Sequence, residues 1–193
     1  VNAYAAGVQG ILYHRYYPSP NRYPYNHEDL GRMRFMAYPD LLAHKDKIFR
    51  VAPTTDPDPA LHYGEEGQLP AYPAPGERGP EIIVEVSDDL ADKAEQRELW
   101  RCELRVMIQN MVHHDRVRLV WNDVEIPPEA QRLADWTYQL RPRPDHGVLG
   151  YRLHVDLTGD QLPKQGTNKV RVDVLDKDEK LIHPISVAEV EIA

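Results

Sequence analysis

Trp100-Arg101-Cys102-Glu103-Leu104-Arg105-Val106-Met107-Ile108 is the stretch whose reading decides the fold. Trp100, Cys102, Leu104, Val106 and Ile108 share one parity, and Arg101, Glu103 and Arg105 hold the other. A period of two with polar partners is the pattern of a strand with one dry and one wet face. The same pattern recurs downstream. Val117, Leu119 and Trp121 alternate with Arg116, Arg118 and Val120; Tyr151, Leu153, Val155 and Leu157 with Arg152, His154 and Asp156; Val170, Val172 and Val174 with Arg171 and Asp173. Further strands are expected at 81–86, 136–140 and 185–192. Turn chemistry separates them at Trp121-Asn122-Asp123, Asp145-His146-Gly147, Lys164-Gln165-Gly166-Thr167-Asn168 and Asp176-Lys177-Asp178. About seven short strands at this spacing predict a mainly β fold, an antiparallel, jelly-roll-like β-sandwich over residues 81–193. One or two helical turns are expected after Ser87, which is read as their cap.

Upstream, residues 52–80 carry seven prolines and four glycines, which excludes regular helix and central strand and marks a linker. Residues 1–51 read as an α/β arm. Gly7-Val8-Gln9-Gly10-Ile11-Leu12-Tyr13-His14-Arg15-Tyr16-Tyr17 is apolar on both parities near its start, as in a doubly covered strand. Pro18 and Pro20 stop it. Asn26-His27-Glu28-Asp29 opens a helix toward Met36, and Pro39-Asp40 a second helical stretch with Leu41, Leu42, Lys45 and Ile48 in reach. One strand and two short helices cannot bury their own apolar faces. The arm is therefore expected to lean on the sandwich, on a second copy of the chain, or on an upstream portion.

The net charge of −8 over 193 residues excludes a protein that tracks phosphates or an anionic membrane surface. No run approaches the roughly 20 apolar residues of a membrane helix. Val1-Asn2-Ala3-Tyr4 lacks the charged region and apolar stretch of a signal peptide, while an opening Val leaves a processed or shortened chain open. Cys102 is the single cysteine and is read as a small buried apolar residue.

The Gly-Val-Gln-Gly-Ile strand, the segment Tyr38-Pro39-Asp40-Leu41-Leu42-Ala43-His44-Lys45-Asp46-Lys47 and the Pro-rich link together resemble the end of the (β/α)8 barrel in bacterial glycoside-hydrolase-like proteins, in which a β-sandwich follows the barrel. Val117-Arg118-Leu119-Val120-Trp121-Asn122-Asp123-Val124-Glu125-Ile126 is similar to a strand and turn of that sandwich. Leu162-Pro163-Lys164-Gln165-Gly166-Thr167-Asn168-Lys169-Val170-Arg171-Val172 is similar to the L-x-x-G-x-N-x-V-x-V signature of sandwiches appended to carbohydrate enzymes. The resemblance implies that this chain carries the last barrel strand and helix and a non-catalytic accessory sandwich, stabilising or carbohydrate-binding. It implies no cofactor, and it favours a secreted or periplasmic address. Two other functions stay open: glycosidic hydrolysis once the rest of a barrel is present, and self-association through exchange of the arm.

Candidate contacts follow. Catalytic groups of barrels sit at the C-terminal ends of strands, which places Tyr13, His14, Arg15 and Tyr16 at a cleft if the barrel is complete, or at a packed rim. Trp136 and Tyr138 are two residues apart on one strand face and form either a flat platform for a pyranose ring or a packing surface. Trp100 and Trp121 share parity with aliphatics and are expected in the core. Glu28, Asp29, Asp40, Asp46, Glu65 and Glu66 read as solvated charge rather than the opposed carboxyl pair of a glycosidase. His113-His114-Asp115, with Asp88 and Asp89 as distant partners, offers metal-ligand types, but a polar hairpin turn explains it better.

Overall fold

The computed structural model describes residues 38, 41, 45–53, 67–135, 150–180 and 182–193. The chain divides into two units, Val1–Lys47 and Ile48–Ala193. The first is described only at residues 38, 41 and 45–47, where the amide of Leu41 donates to the carbonyl of Tyr38 at 3.0 Å. The expected barrel-like strand at 7–17 lies outside the described residues.

The second unit is an antiparallel β-sandwich, as the alternation predicts. Its elements are β1 (Phe49–Val51), β2 (Glu81–Val86), α1 (Leu90–Glu95), β3 (Glu103–Gln109), β4 (Arg116–Trp121), β5 (Val124–Ile126), β6 (Arg132–Asp135), β7 (Gly150–Asp156), β8 (Gly166–Asp176) and β9 (Ser186–Ile192). One sheet has five strands in the order β1-β9-β3-β7-β6, and the other has four in the order β2-β8-β4-β5. Leu104, Val106 and Ile108 of β3 face Leu119 and Trp121 of β4 and Val170, Val172 and Val174 of β8 in one dry interior, each at most 2% exposed. Burial of branched aliphatics at about 25 cal/mol per Å2 is the main favourable term for such a core. The indole N–H of Trp121 is satisfied by the carbonyl of Gln161 at 2.8 Å, so the ring enters the core without an orphan donor.

The turn expected at Asn122-Asp123 is observed, that at Asp145-His146-Gly147 lies outside the described residues, and Gly166-Thr167-Asn168 opens β8 instead of turning. Asn122 and Asp123 both take positive φ, 46° and 67°, which a two-residue hairpin requires for its twist to match the strands. Asn168 is fully buried and shows why the G-x-N-x-V-x-V pattern carries an asparagine. Its Oδ1 accepts from the Lys164 amide and from Nδ2 of Asn122, both at 2.9 Å, and its Nδ2 donates to the carbonyls of Lys164 and Gly166 at 2.8 and 3.1 Å. All four bonding positions of one amide thereby close the loop before β8 onto the β4–β5 turn.

Several expectations are corrected. Trp100 is 99% exposed, because β3 begins only at Glu103 and parity has no meaning in the irregular segment before it; the adjacent Leu99 packs on the core instead. The cap of α1 is Asp89, not Ser87: its side chain accepts from the amide of Asp92 at 3.0 Å. Ile48 does not continue a helix. Phe49–Val51 pairs with β9 in the register Phe49↔Ile192, Arg50↔Glu191, Val51↔Val190, so pairing with β9 outweighs helical spacing. The second half of the Pro-rich link is laid on the sandwich. Leu69 and Ala71 are buried, and isolated bridges join Ala71 to Val187 and Pro75 to Val174. The strand expected at 136–140 lies outside the described residues.

Candidate functional site

Register decides what the outward side chains of the five-stranded sheet can do. Arg50 on β1 is opposite Glu191 on β9, Glu191 opposite Arg105 on β3, Arg105 opposite His154 on β7, and His154 opposite Arg132 on β6. Antiparallel neighbours in register point to the same face. One transverse row therefore crosses all five strands on the outer surface. Flanking positions on the same face add Glu103, Asp156, Arg152, Glu189 and, just before β3, Arg101.

These groups form a continuous ion-pair lattice with Glu103 at its centre. The Glu103 carboxylate accepts from Nη2 of Arg101 at 2.8 Å, Nε of Arg105 at 2.6 Å and Nη2 of Arg132 at 2.6 Å, with Nδ1 of His154 at 3.3 Å. It is 3% exposed. Burial by itself pushes such a carboxyl up, but the hydrogen bond and charge of Arg105 and the charges of Arg101 and His154 together outweigh it and hold Glu103 below the usual range. A second node lies toward β1. Glu189 accepts from Arg152 at 3.0 Å and from Arg50, whose Nε lies 3.4 Å from Glu191. Burial and the hydrogen bond with Glu189 push the Glu191 carboxyl up.

The periphery of the lattice is open. Arg50, Arg101 and Arg132 are 53%, 48% and 59% exposed at the side chain, and their hydrogen bonds to the lattice run through Nε and Nη2, not Nη1. Five arginines and one histidine meet four carboxylates, so the face has a cationic balance in a chain of net charge −8. Chemically it is an array of planar donors and acceptors, with no opposed carboxyl pair across a cleft among the described residues.

The residues singled out from sequence fare unevenly. Tyr13, His14, Arg15, Tyr16, Trp136 and Tyr138 lie outside the described residues, as do Glu28, Asp29, Asp40, Glu65 and Glu66. Trp136 follows directly in sequence on the edge strand that carries Arg132. Asp46 is exposed. His113 and His114 are exposed with ring centroids 3.8 Å apart, but Asp115 turns away from them. Its two oxygens accept from the amides of Val112 at 2.8 Å and Asp178 at 2.7 Å, tying two loops together. Asp89 caps α1, and Asp88 accepts from the Ser87 hydroxyl at 3.3 Å. Among the described residues no group of three or more His, Cys, Asp and Glu is placed to hold a metal ion, and none of their helices is long and apolar enough to cross a membrane. Sequence reasoning missed the lattice. Its only local trace is the charge on the wet parity of β3 and β7.

Scanned against family models and curated proteins, the chain matches none.

Proposed function

We propose that the sandwich is a non-catalytic accessory module of a larger glycoside-hydrolase-like protein, and that the outer face of its five-stranded sheet is a surface for a carbohydrate. The observation that carries this reading is the lattice around Glu103: carboxylates and guanidiniums, held by one another on a sheet, spaced across five strands. A sugar presents a row of hydroxyls, each donor and acceptor, and an array of fixed donors and acceptors can meet them without reorganising first. Trp136 and Tyr138 supply the stacking component if they continue the edge strand that carries Arg132.

Native gels cast with soluble neutral and acidic glycans test it. At least one glycan is expected to retard the full chain, with less retardation for Arg105→Ala or Trp136→Ala. Unaltered migration in every glycan would remove the reading.

A second reading, contact with another polypeptide, is favoured by Trp100 alone. An indole 99% exposed just ahead of β3 suits a partner's apolar pocket. The partner in this reading is the upstream barrel portion or a second copy. Light scattering of the wild type and Trp100→Ala decides the homo-oligomeric case, since only a real self-contact lowers the mass on substitution.

A further inference from the structure

We infer that the ligand of this face is a carboxylate-bearing glycan, a polyuronate, which crosses the five strands along the row Arg50, Glu191, Arg105, His154, Arg132; this rests on the carbohydrate reading above.

The row fixes the order of its charges. Neighbouring strands lie about 4.8 Å apart, so the backbones carrying the arginines on β1, β3 and β6, two strands from each other, are roughly 10 Å apart, while the side chains of Arg105 and Arg132 converge on the Glu103 carboxylate. Cations in a row across the sheet suit a linear polymer that carries anions along its length. A guanidinium presents two parallel N–H groups to a carboxylate, and the outermost arginines make their hydrogen bonds to the lattice through Nη2, not Nη1. Carboxylates from the protein stand between the cations: Glu191 between Arg50 and Arg105, and Glu103 among Arg101, Arg105 and Arg132. A polyanion with charge alone would meet repulsion at each of them. A uronate chain brings hydroxyls to those positions, and a hydroxyl donates to a carboxylate. The alternation of guanidinium and carboxylate therefore selects a ligand that alternates carboxylate and hydroxyl.

The four-stranded sheet supplies the internal control. Its outward charges are Glu81, Glu85, Glu125, Asp173 and Asp176 against Arg116, Arg118, Lys169, Arg171 and, just before β2, Arg78, so five carboxylates meet five cations and that face has no cationic excess. A polyanion drawn by charge has less reason to choose that side.

The test is affinity electrophoresis of the full chain in gels containing polygalacturonate, the same polymer with its carboxylates methyl-esterified, a neutral glycan panel, or poly(U). Retardation by polygalacturonate and its loss on esterification are expected. Arg50→Ala and Arg132→Ala should each weaken it roughly tenfold, the weight of one charge-assisted hydrogen bond. Arg132→Lys, which keeps the charge but removes the fork, should fall between, and Arg116→Ala on the opposite sheet should change nothing. Equal retardation by the methyl ester or by neutral glycans overturns the inference and leaves the carbohydrate reading standing. Equal retardation by poly(U) overturns it in favour of charge alone. No retardation by any polymer overturns both. Urea midpoints of the variants within error of wild type exclude loss through unfolding.

Discussion

Glu103 and Asp173 are carboxylates on the outer faces of the two sheets, each on an interior strand and each screened from water by arginines, at 3% and 1% exposure. Their surroundings differ. Asp173 accepts from Nε and Nη2 of Arg118 at 3.0 and 2.8 Å, from Nε of Arg171 at 3.0 Å and from the amide of Gly79 at 2.8 Å. Gly79 runs so close to β8 that a Cβ there would meet the carbonyl oxygen of Val172 at 2.0 Å. Asp173 thus fastens the end of the Pro-rich link onto the four-stranded sheet. Glu103 accepts only from side chains, and two of its arginines are about half exposed. One carboxylate closes a structural joint; the other gathers guanidiniums at a surface. Equal burial of a charge does not imply an equal role.

That contrast is open to attack by mutation. The largest effect is expected at Asp173→Ala, which strands two cations and a buried amide and should cost about 3–5 kcal/mol in urea unfolding. Glu103→Ala should cost less, about 1–2 kcal/mol, because Arg101 and Arg132 can turn to water or to Asp156. Equal losses would erase the distinction. Gly79→Ala approaches the joint from its other side and should cost about 2 kcal/mol through the clash with Val172. Next in size is a pH effect that separates the two nodes of the five-stranded sheet. The carboxyls of Asp173 and Glu103 lie below their ordinary values, burial being outweighed by arginines and, for Asp173, by the Gly79 amide. Their stabilisation is complete above the unfolded values, about 4, and is lost as pH falls through the folded ones. The Glu191 carboxyl is raised, so its contribution has the opposite sign, present in acid and lost as pH rises through the folded value. Glu191→Gln should flatten the decline in stability on going from mildly acidic to neutral pH, read from thermal melts across that range. The smallest effect is expected at Arg50→Ala. An ion pair on a half-exposed arginine is worth about 0.2–1 kcal/mol, so global stability should hardly change while amide exchange at 49–51 quickens.

The inner faces of the two sheets were legible in the sequence and the outer faces were not. Leu104, Val155 and Val172 announce their inward direction through their neighbours two residues away, since strand period is a local property. Two partners of Glu103, Arg101 and Arg105, are local, but the ones that join strands are not: Arg132 is 29 residues away and His154 51, while Arg50 lies 139 from Glu189. Alternation assigns such residues to the wet face without saying which of them meet. Short edge strands escaped for a related reason. Phe49–Val51 and Val124–Ile126 have three residues each, too few for a period to declare itself. Trp100 shows the converse error, a parity extended three residues ahead of the start of its strand. Cys102 was legible as a buried apolar residue, and burial pushes its thiol up to about 12. It should resist alkylation in the native state, as mass spectrometry would register, and react only on unfolding.

The claim that the outer face of the five-stranded sheet recognises the ligand, and the opposite sheet does not, is met most directly by NMR of arginine side chains during titration with oligogalacturonate. The Nε–Hε signals of Arg50, Arg105 and Arg132 are expected to shift together and saturably, while those of Arg116, Arg118 and Arg171 stay in place. Shifts confined to the second group, or none in the first, would contradict it.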